Sequence, residues 1–167
     1  PGGSVKDRIA LAMIEDAEAK GLISPERTMI VETSSGNTGI AIAMISSVKG
    51  YKCTIIMPSS FSEERKRIVR SFGANLIITE AAGGMKLAIQ KKDEIMAQLG
   101  ENGWYASQFD NPANVQTHRD HTAKEILNAF PNGLDYLVCG VGTGGYISGC
   151  SEELKEVWPN LKVVAVQ

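Results

Sequence analysis

The chain has 167 residues, enough for a sizeable core, and its 43% hydrophobic and 22% charged content is ordinary for a soluble globular protein. A formal net charge of −2 gives no electrostatic case for a nucleic acid or an anionic membrane as partner. No apolar run approaches the ~20 residues that a membrane-spanning helix needs. Cys53, Cys139 and Cys150, with no C-x-x-C spacing, indicate free thiols in a reducing, cytoplasmic compartment.

Strand-like and helix-like segments alternate along the whole chain. Short apolar runs predict buried parallel strands at residues 28–32, 53–57, 75–79, 104–107, 136–141 and 162–166. After a first helix that begins near Lys6, further helices are predicted to start near residues 39, 62, 84, 117 and 144. This alternation predicts an α/β fold with twisted, mainly parallel sheets flanked by helices.

The first predicted helix places a lysine where its amine has a chemical use. Ser4 is a candidate N-cap and Asp7 completes an S-x-x-D capping box, so Lys6 lies in the first turn. Apolar residues follow at helical spacing: Ile9, Ala10, Met13, Ile14 and Ala17. The positive end of the helix dipole disfavours a cation, and a neutral lysine amine is a nucleophile or Schiff-base partner. A solvated surface lysine is the alternative.

Two loops that follow predicted strands are suited to anions. The loop TSSGNTG at residues 33–39 crowds Ser34, Ser35, Asn37 and Thr38 at a helix start, although a turn with a polar N-cap explains it equally well. The loop GTGGY contains Gly142, Thr143, Gly144, Gly145 and Tyr146, and its glycines let a phosphate approach the backbone. It lacks the Lys-Ser/Thr of a Walker motif, and its match to G-x-G-x-x-G is weak by itself.

The remaining polar residues add one candidate substrate contact and give little support to a metal site. The loop QFDNPAN, residues 108–114, follows a predicted strand and offers Gln108 as a substrate contact. His118 and His121 have a spacing that a metal ion allows, but Arg119 lies beside them and no third ligand is evident, so no metal is expected. A helix-start lysine, a carboxylate loop and a phosphate loop together suit pyridoxal 5'-phosphate (PLP) and an amino acid.

Four motifs, PGGSVKDR, SSGNTG, QFDNPAN and GVGTGG, closely resemble in this order the cysteine synthase (O-acetylserine sulfhydrylase) and cystathionine β-synthase family of PLP enzymes. The resemblance covers essentially the whole chain and implies PLP fold-type II, as in the tryptophan synthase β subunit. It implies that Lys6 forms the imine with PLP and moves the Cα proton, and that Asn37 contacts the ring hydroxyl. It also implies a phosphate loop at residues 142–146 and substrate-carboxylate contacts from Ser34, Ser35, Thr38 and Gln108.

The sequence departs from the family pattern at two positions. Ser34 stands where the family has threonine, which preserves the hydroxyl, and Tyr146 replaces the last threonine of the phosphate loop. The family's chains also begin earlier and continue further, so we expect a chain that is truncated at both ends. The resemblance implies a smaller, mobile domain over residues 1–109, with Lys6 and the asparagine loop, and a partial second domain over 110–167, with the phosphate loop.

The function implied is PLP-dependent β-replacement, which forms L-cysteine from O-acetylserine and sulfide in a cytoplasmic homodimer. The alternative within the family is cystathionine β-synthase, which uses serine or cysteine with homocysteine. An alternative of another class is a non-catalytic α/β domain that binds a phosphate or a partner protein.

Overall fold

A computed structural model describes residues 2–34 and 36–167, which form two compact units, Pro1–Ser107 and Gln108–Gln167. The first unit contains α1 (Lys6–Ala19), β1 (Met29–Thr33), α2 (Asn37–Lys49), β2 (Lys52–Pro58), α3 (Glu63–Ser71), β3 (Asn75–Thr79), α4 (Gly84–Leu99) and β4 (Gly103–Trp104). The second unit contains α5 (Pro112–Thr117), a π-helical turn (His118–Ala123), α6 (Lys124–Ala129), β5 (Tyr136–Gly140), α7 (Gly145–Val157) and β6 (Lys162–Val166).

The first unit is built on a four-stranded sheet in the order β3-β2-β1-β4, in which every neighbouring pair is parallel. On one face, Val31 of β1 and Ile56 of β2 pack with Ala88 of α4. On the other face α2 packs on β2, and α1 packs on α2. The apolar positions predicted for α1 are all buried: Ile9, Ala10, Met13, Ile14 and Ala17. The predicted parallel α/β architecture is therefore confirmed in this unit.

The second unit has a separate core beneath a two-stranded parallel sheet, β5-β6. Its buried cluster consists of Ala123, Leu137, Cys150, Leu154 and Leu161. Leu137 faces this cluster, whereas Val138, on the opposite face of β5, is 62% exposed. The prediction that both runs form parallel strands is confirmed, but the prediction that they are buried is wrong for the second face of this sheet.

Two predicted elements differ in extent from the observed ones. The strand predicted at 104–107 pairs with β1 only through Gly103 and Trp104, and the backbone then turns at Ser107, which has a left-handed φ of 49°. The helix predicted to start near residue 117 begins at Pro112, capped by the Asn111 side chain, which accepts a hydrogen bond from Ala113 N–H at 3.0 Å. Asn-Pro at a helix start is a strong N-terminal signal.

The three cysteines, all in the described part of the chain, are free thiols. None of the helices formed by residues 2–34 and 36–167 combines the length and the apolarity that crossing a bilayer requires.

Candidate active site

Lys6 is the first residue of α1, at the end of a turn fixed by short-range hydrogen bonds. The Asp7 carboxylate accepts from Gly2 N–H at 2.7 Å, and the Ser4 hydroxyl accepts from Lys6 N–H at 3.2 Å. The N-cap is Val5, so the prediction of Ser4 at that position is wrong, because the Asp7 side chain reaches back to Gly2 instead of closing a box with Ser4. Gly3 has a φ of 80°, a conformation that favours glycine.

The Lys6 side chain is half-buried at this helix start. Burial lowers the pKa of the Lys6 amine from its ordinary value, because an ammonium group loses hydration there. A lowered pKa increases the neutral fraction of the amine, and only the neutral amine attacks a carbonyl carbon. The environment of Lys6 therefore suits the role expected from the sequence.

The loop between β1 and α2 is organised by Ser34, which is buried. Its Oγ accepts hydrogen bonds from Gly39 N–H at 2.9 Å and Gly36 N–H at 3.2 Å, so this hydroxyl holds the start of α2. A side chain at Gly39 would place its Cβ 2.9 Å from the Ser34 Cβ and 3.3 Å from Ile55 Cγ2. Glycine at that position is thus required for α2 to begin close to β2.

The other predicted residues of this loop differ in their exposure. Asn37 is exposed at the first position of α2, whereas Thr38 is buried. Ser35, predicted to contact the substrate carboxylate, lies outside the described residues. An exposed amide at the positive end of a 13-residue helix is a suitable contact for an anionic oxygen.

Glu32 is a buried acid at the end of β1 that the sequence reading did not single out. Its side chain is fully buried, and neither carboxyl oxygen has a partner with hydrogen-bond geometry among the described residues. Burial raises the pKa of Glu32 to about 8, and the nearby Thr33 backbone and Lys92 charge offset only part of that rise. The available signal was a single acid inside the apolar run TMIVE.

In the second unit, Gln108 and the glycine loop are connected through Asn114. The Asn114 Nδ2 donates to the Gln108 carbonyl oxygen at 2.8 Å and to Thr143 Oγ1 at 2.9 Å. Asn114 is 3% exposed. Asn114 lies in the QFDNPAN motif, but nothing in its local sequence pattern indicates a contact 29 residues away.

The glycine loop fits a phosphate group. Gly144 has a φ of 84° and is the N-cap of α7, a 13-residue helix whose positive end faces the loop. Apart from the adjacent residues, no atom of the described chain lies within 4 Å of an added Cβ at Gly142 or Gly144, so the backbone is open to an approaching ligand. With the Thr143 hydroxyl beside these glycines, the loop offers the donors that a phosphate dianion needs.

The Tyr146 ring packs against the buried cluster of the second unit. Its ring contacts that of His118 edge-on, with centroids 5.2 Å apart and planes at 68°. The His118 Nδ1 lies 2.9 Å from Thr122 Oγ1. Across residues 2–34 and 36–167, no group of three or more His, Cys, Asp or Glu side chains is arranged to hold a metal ion.

The predicted site residues thus form two sets. Lys6, Ser34, Asn37 and Thr38 belong to the first unit, and Gln108 and residues 142–146 belong to the second. Within the second unit, Asn114 brings Gln108 and the glycine loop together.

Comparison with known proteins places the chain in one family. The chain matches pyridoxal-phosphate dependent enzymes over residues 1–167. It is 56% identical over 167 residues to a cysteine synthase of Flavobacterium sp. strain K3-15, covering all of this chain and 54% of that protein. A cysteine synthase structure from Entamoeba histolytica has a TM-score of 0.94 and 39% identity, over 98% of this chain and 48% of the other.

An O-ureido-L-serine synthase structure is also similar, with a TM-score of 0.93 and 43% identity, over 99% of this chain and 52% of that one. The chain spans about half the length of each of these relatives. The fold of these relatives agrees with the parallel α/β architecture described above. The chain therefore belongs to the family of pyridoxal-phosphate dependent enzymes.

Proposed function

We propose that the protein forms L-cysteine from O-acetylserine and sulfide with PLP as cofactor. The observation that carries the proposal is Lys6, a half-buried amine with a lowered pKa at the start of α1. The 56% identity to a cysteine synthase over the whole of this chain supports the substrate assignment. The relatives named above do not favour the cystathionine β-synthase alternative.

Residues of both units would hold the cofactor. In the first unit Lys6 would bind it covalently through Nζ, and the exposed Asn37 side chain would contact its ring hydroxyl. In the second unit the backbone of residues 142–146 and the Thr143 hydroxyl would bind its phosphate. When bound, PLP supplies an electron sink that makes the Cα proton of an amino acid acidic.

The substrate carboxylate would be bound at the start of α2 and by Gln108. Ser34 holds that helix start by accepting hydrogen bonds from Gly36 N–H and Gly39 N–H, and the positive end of α2 favours an anion there. Thr38 and Ser35 are the further hydroxyls that we propose for this contact.

Lys6 would carry the proton during β-replacement. Its neutral Nζ takes the proton from the substrate Cα, and acetate leaves Cβ with the electron pair of the C–O bond. A sulfide lone pair then forms the new C–S bond at Cβ, and Nζ returns its proton to Cα. The overall reaction converts O-acetylserine and hydrosulfide into cysteine and acetate, and it is balanced in atoms and in charge.

The test is turnover by the purified protein with PLP, with O-acetylserine or serine offered together with sulfide or homocysteine. We expect cysteine from O-acetylserine and sulfide, and a loss of roughly 10²–10⁴-fold or more in the Lys6→Ala variant, the range of general acid–base catalysis. The control is Lys20→Ala, an exposed lysine paired with Asp16 at 2.6 Å, which should keep wild-type turnover.

Two results contradict the proposal. Cystathionine from serine and homocysteine, without cysteine from O-acetylserine, would support the alternative within the family. Phosphate binding without any turnover would support a non-catalytic domain.

A cytoplasmic homodimer is part of the same proposal. The three free thiols support a reducing compartment, because extracellular conditions favour disulfides. Sedimentation of the purified protein at several concentrations tests the dimer.

A further inference from the structure

Asn114 connects the loop that contains Gln108 with the glycine loop at residues 142–146. Its Nδ2 donates to the Gln108 carbonyl at 2.8 Å and to Thr143 Oγ1 at 2.9 Å. A carbonyl oxygen only accepts, so the Gln108 contact fixes which end of the Asn114 amide faces the loop. The side chain is 3% exposed, and its Oδ1 is buried without a hydrogen-bond partner among the described residues.

The same contact determines the direction of the Thr143 hydroxyl. The Thr143 Oγ1 accepts from Asn114 Nδ2 and, at 3.4 Å, from Gly145 N–H. A hydroxyl oxygen has two lone pairs and one hydrogen. With both lone pairs used by these donors, the hydroxyl hydrogen points away from Asn114 and Gly145 and is available to an anion.

The chain around Asn114 is adapted to this arrangement at two further positions. A Cβ at Gly145 would collide with Asn114 Oδ1, so glycine there lets the amide lie against the start of α7. Ser107, directly before Gln108, has a left-handed φ of 49°, which a non-glycine residue keeps only where its surroundings constrain it. The Asn114 bond to the next residue is one such constraint.

We propose that Asn114 is a positioning residue that orients the Thr143 hydroxyl as a phosphate donor and holds Gln108 in place. This inference rests on the proposed function, because it takes the loop at 142–146 as the phosphate site and Gln108 as a substrate contact. Through these two contacts Asn114 would influence cofactor binding and substrate binding together.

The experiment compares the binding of PLP with that of pyridoxal, which lacks the phosphate. Asn114→Leu keeps a similar side-chain size and removes both donors, and Asn114→Ala is the second variant in case the first does not fold. We expect PLP affinity to fall on the order of 5- to 30-fold, the effect of one or two hydrogen bonds, with pyridoxal affinity changed less than about 2-fold. The ³¹P resonance of bound PLP should shift as well.

Substitutions at Thr143 test the orientation step separately. Thr143→Ser keeps the hydroxyl and should retain the wild-type preference for PLP over pyridoxal, whereas Thr143→Val should lose it. Combining Asn114→Ala with Thr143→Val should weaken PLP binding by much less than the product of the two separate effects, because both remove the same donor.

The control is Gln116→Ala on the same helix, whose exposed amide donates to both carboxylate oxygens of Asp120 at 2.9 and 3.0 Å. It should leave both affinities unchanged. Equal losses of PLP and pyridoxal affinity in the Asn114 variants would overturn the inference, because a structural defect alone produces that pattern. Absence of PLP binding by the wild-type protein would instead contradict the proposed function.

Discussion

At the scale of single residues, two ionisable groups occupy surroundings that disfavour their charged forms. Burial lowers the pKa of Lys6 and raises that of Glu32 to about 8, so that neutral forms of both gain population near neutral pH. Lys6 has a role in the proposed reaction. Glu32 is a buried acid without hydrogen-bond partners among the described residues. We expect its raised pKa to affect mainly the stability of the folded protein.

The Glu32 carboxyl makes the stability of the protein depend on pH. Its ordinary pKa is 4.5 and its folded pKa is about 8, so between these values the folded state retains a proton that the unfolded state has released. The free energy of unfolding of the wild type should therefore fall as pH rises from about 5 to 8, at up to about 1.4 kcal/mol per pH unit. In Glu32→Gln this dependence should disappear, and urea denaturation at pH 5, 6.5 and 8 measures it.

The matched control for this experiment is Glu94→Gln, an exposed acid paired with Lys91 at 2.8 Å. It should keep the pH dependence of the wild type. Parallel stability curves for the wild type and Glu32→Gln would show that the Glu32 carboxyl is ionised in the folded protein at neutral pH.

At the scale of elements, α7 packs closely against the helix that begins at Pro112. A Cβ at Gly149 would collide with the Val115 carbonyl oxygen and would lie 2.9 Å from His118 Cβ and 3.1 Å from Arg119 N. Gly145, four residues earlier, allows the contact with Asn114 in the same way. Two glycines one turn apart therefore determine how α7 packs and where its N-terminus lies.

Gly149→Ala should destabilise the protein. Alanine is favoured over glycine in a helix by ~1 kcal/mol, but the collision with backbone atoms costs more, since a rigid main chain cannot move aside as a flexible side chain does. We expect the free energy of unfolding to fall by about 1–3 kcal/mol. Chemical denaturation measures the change, with Gly140→Ala as control, because an added Cβ there meets no described atom within 4 Å outside the adjacent residues. Equal stabilities of the two variants would contradict the close packing.

Apolar periodicity was sufficient to predict most elements of this chain but not their ends. The runs 75–79 and 162–166 match β3 and β6, and the predicted buried face of α1 is confirmed. The run at 104–107 gave too long a strand, because its pattern contains no sign of the turn at Ser107. The prediction of Ser4 as N-cap was wrong, since the folded turn places Val5 at that position and the Asp7 carboxylate accepts from Gly2 N–H. The sequence pattern contains no sign of this turn.

The candidate site was predictable only where a motif encodes it locally. Glycines beside hydroxyls at a helix start indicated the loops at 33–39 and 142–146, and the second of these loops contains a left-handed glycine, Gly144. Asn114 and Glu32 were missed. Asn114 contacts a residue 29 positions away, and the raised pKa of Glu32 depends on its burial in the folded protein.

At the scale of the whole molecule, each of the two units contains some of the proposed site residues. The first unit presents Lys6 and the start of α2, and the second presents Gln108 and the start of α7, each on its own parallel sheet and core. Both helix starts follow directly after a strand, which is where parallel α/β folds place ligand-binding groups. We propose that PLP is held covalently at Lys6.

Peptide mapping of the protein after incubation with PLP and reduction with borohydride tests that claim most directly. Reduction converts a reversible lysine linkage into a stable one, so the modified peptide identifies the residue that held the cofactor. We predict a single pyridoxyl group on Lys6, and none on the exposed Lys20 or on Lys49, which is paired with Glu18 at 2.7 Å. Modification spread over surface lysines, or a single site elsewhere than Lys6, would contradict the assignment.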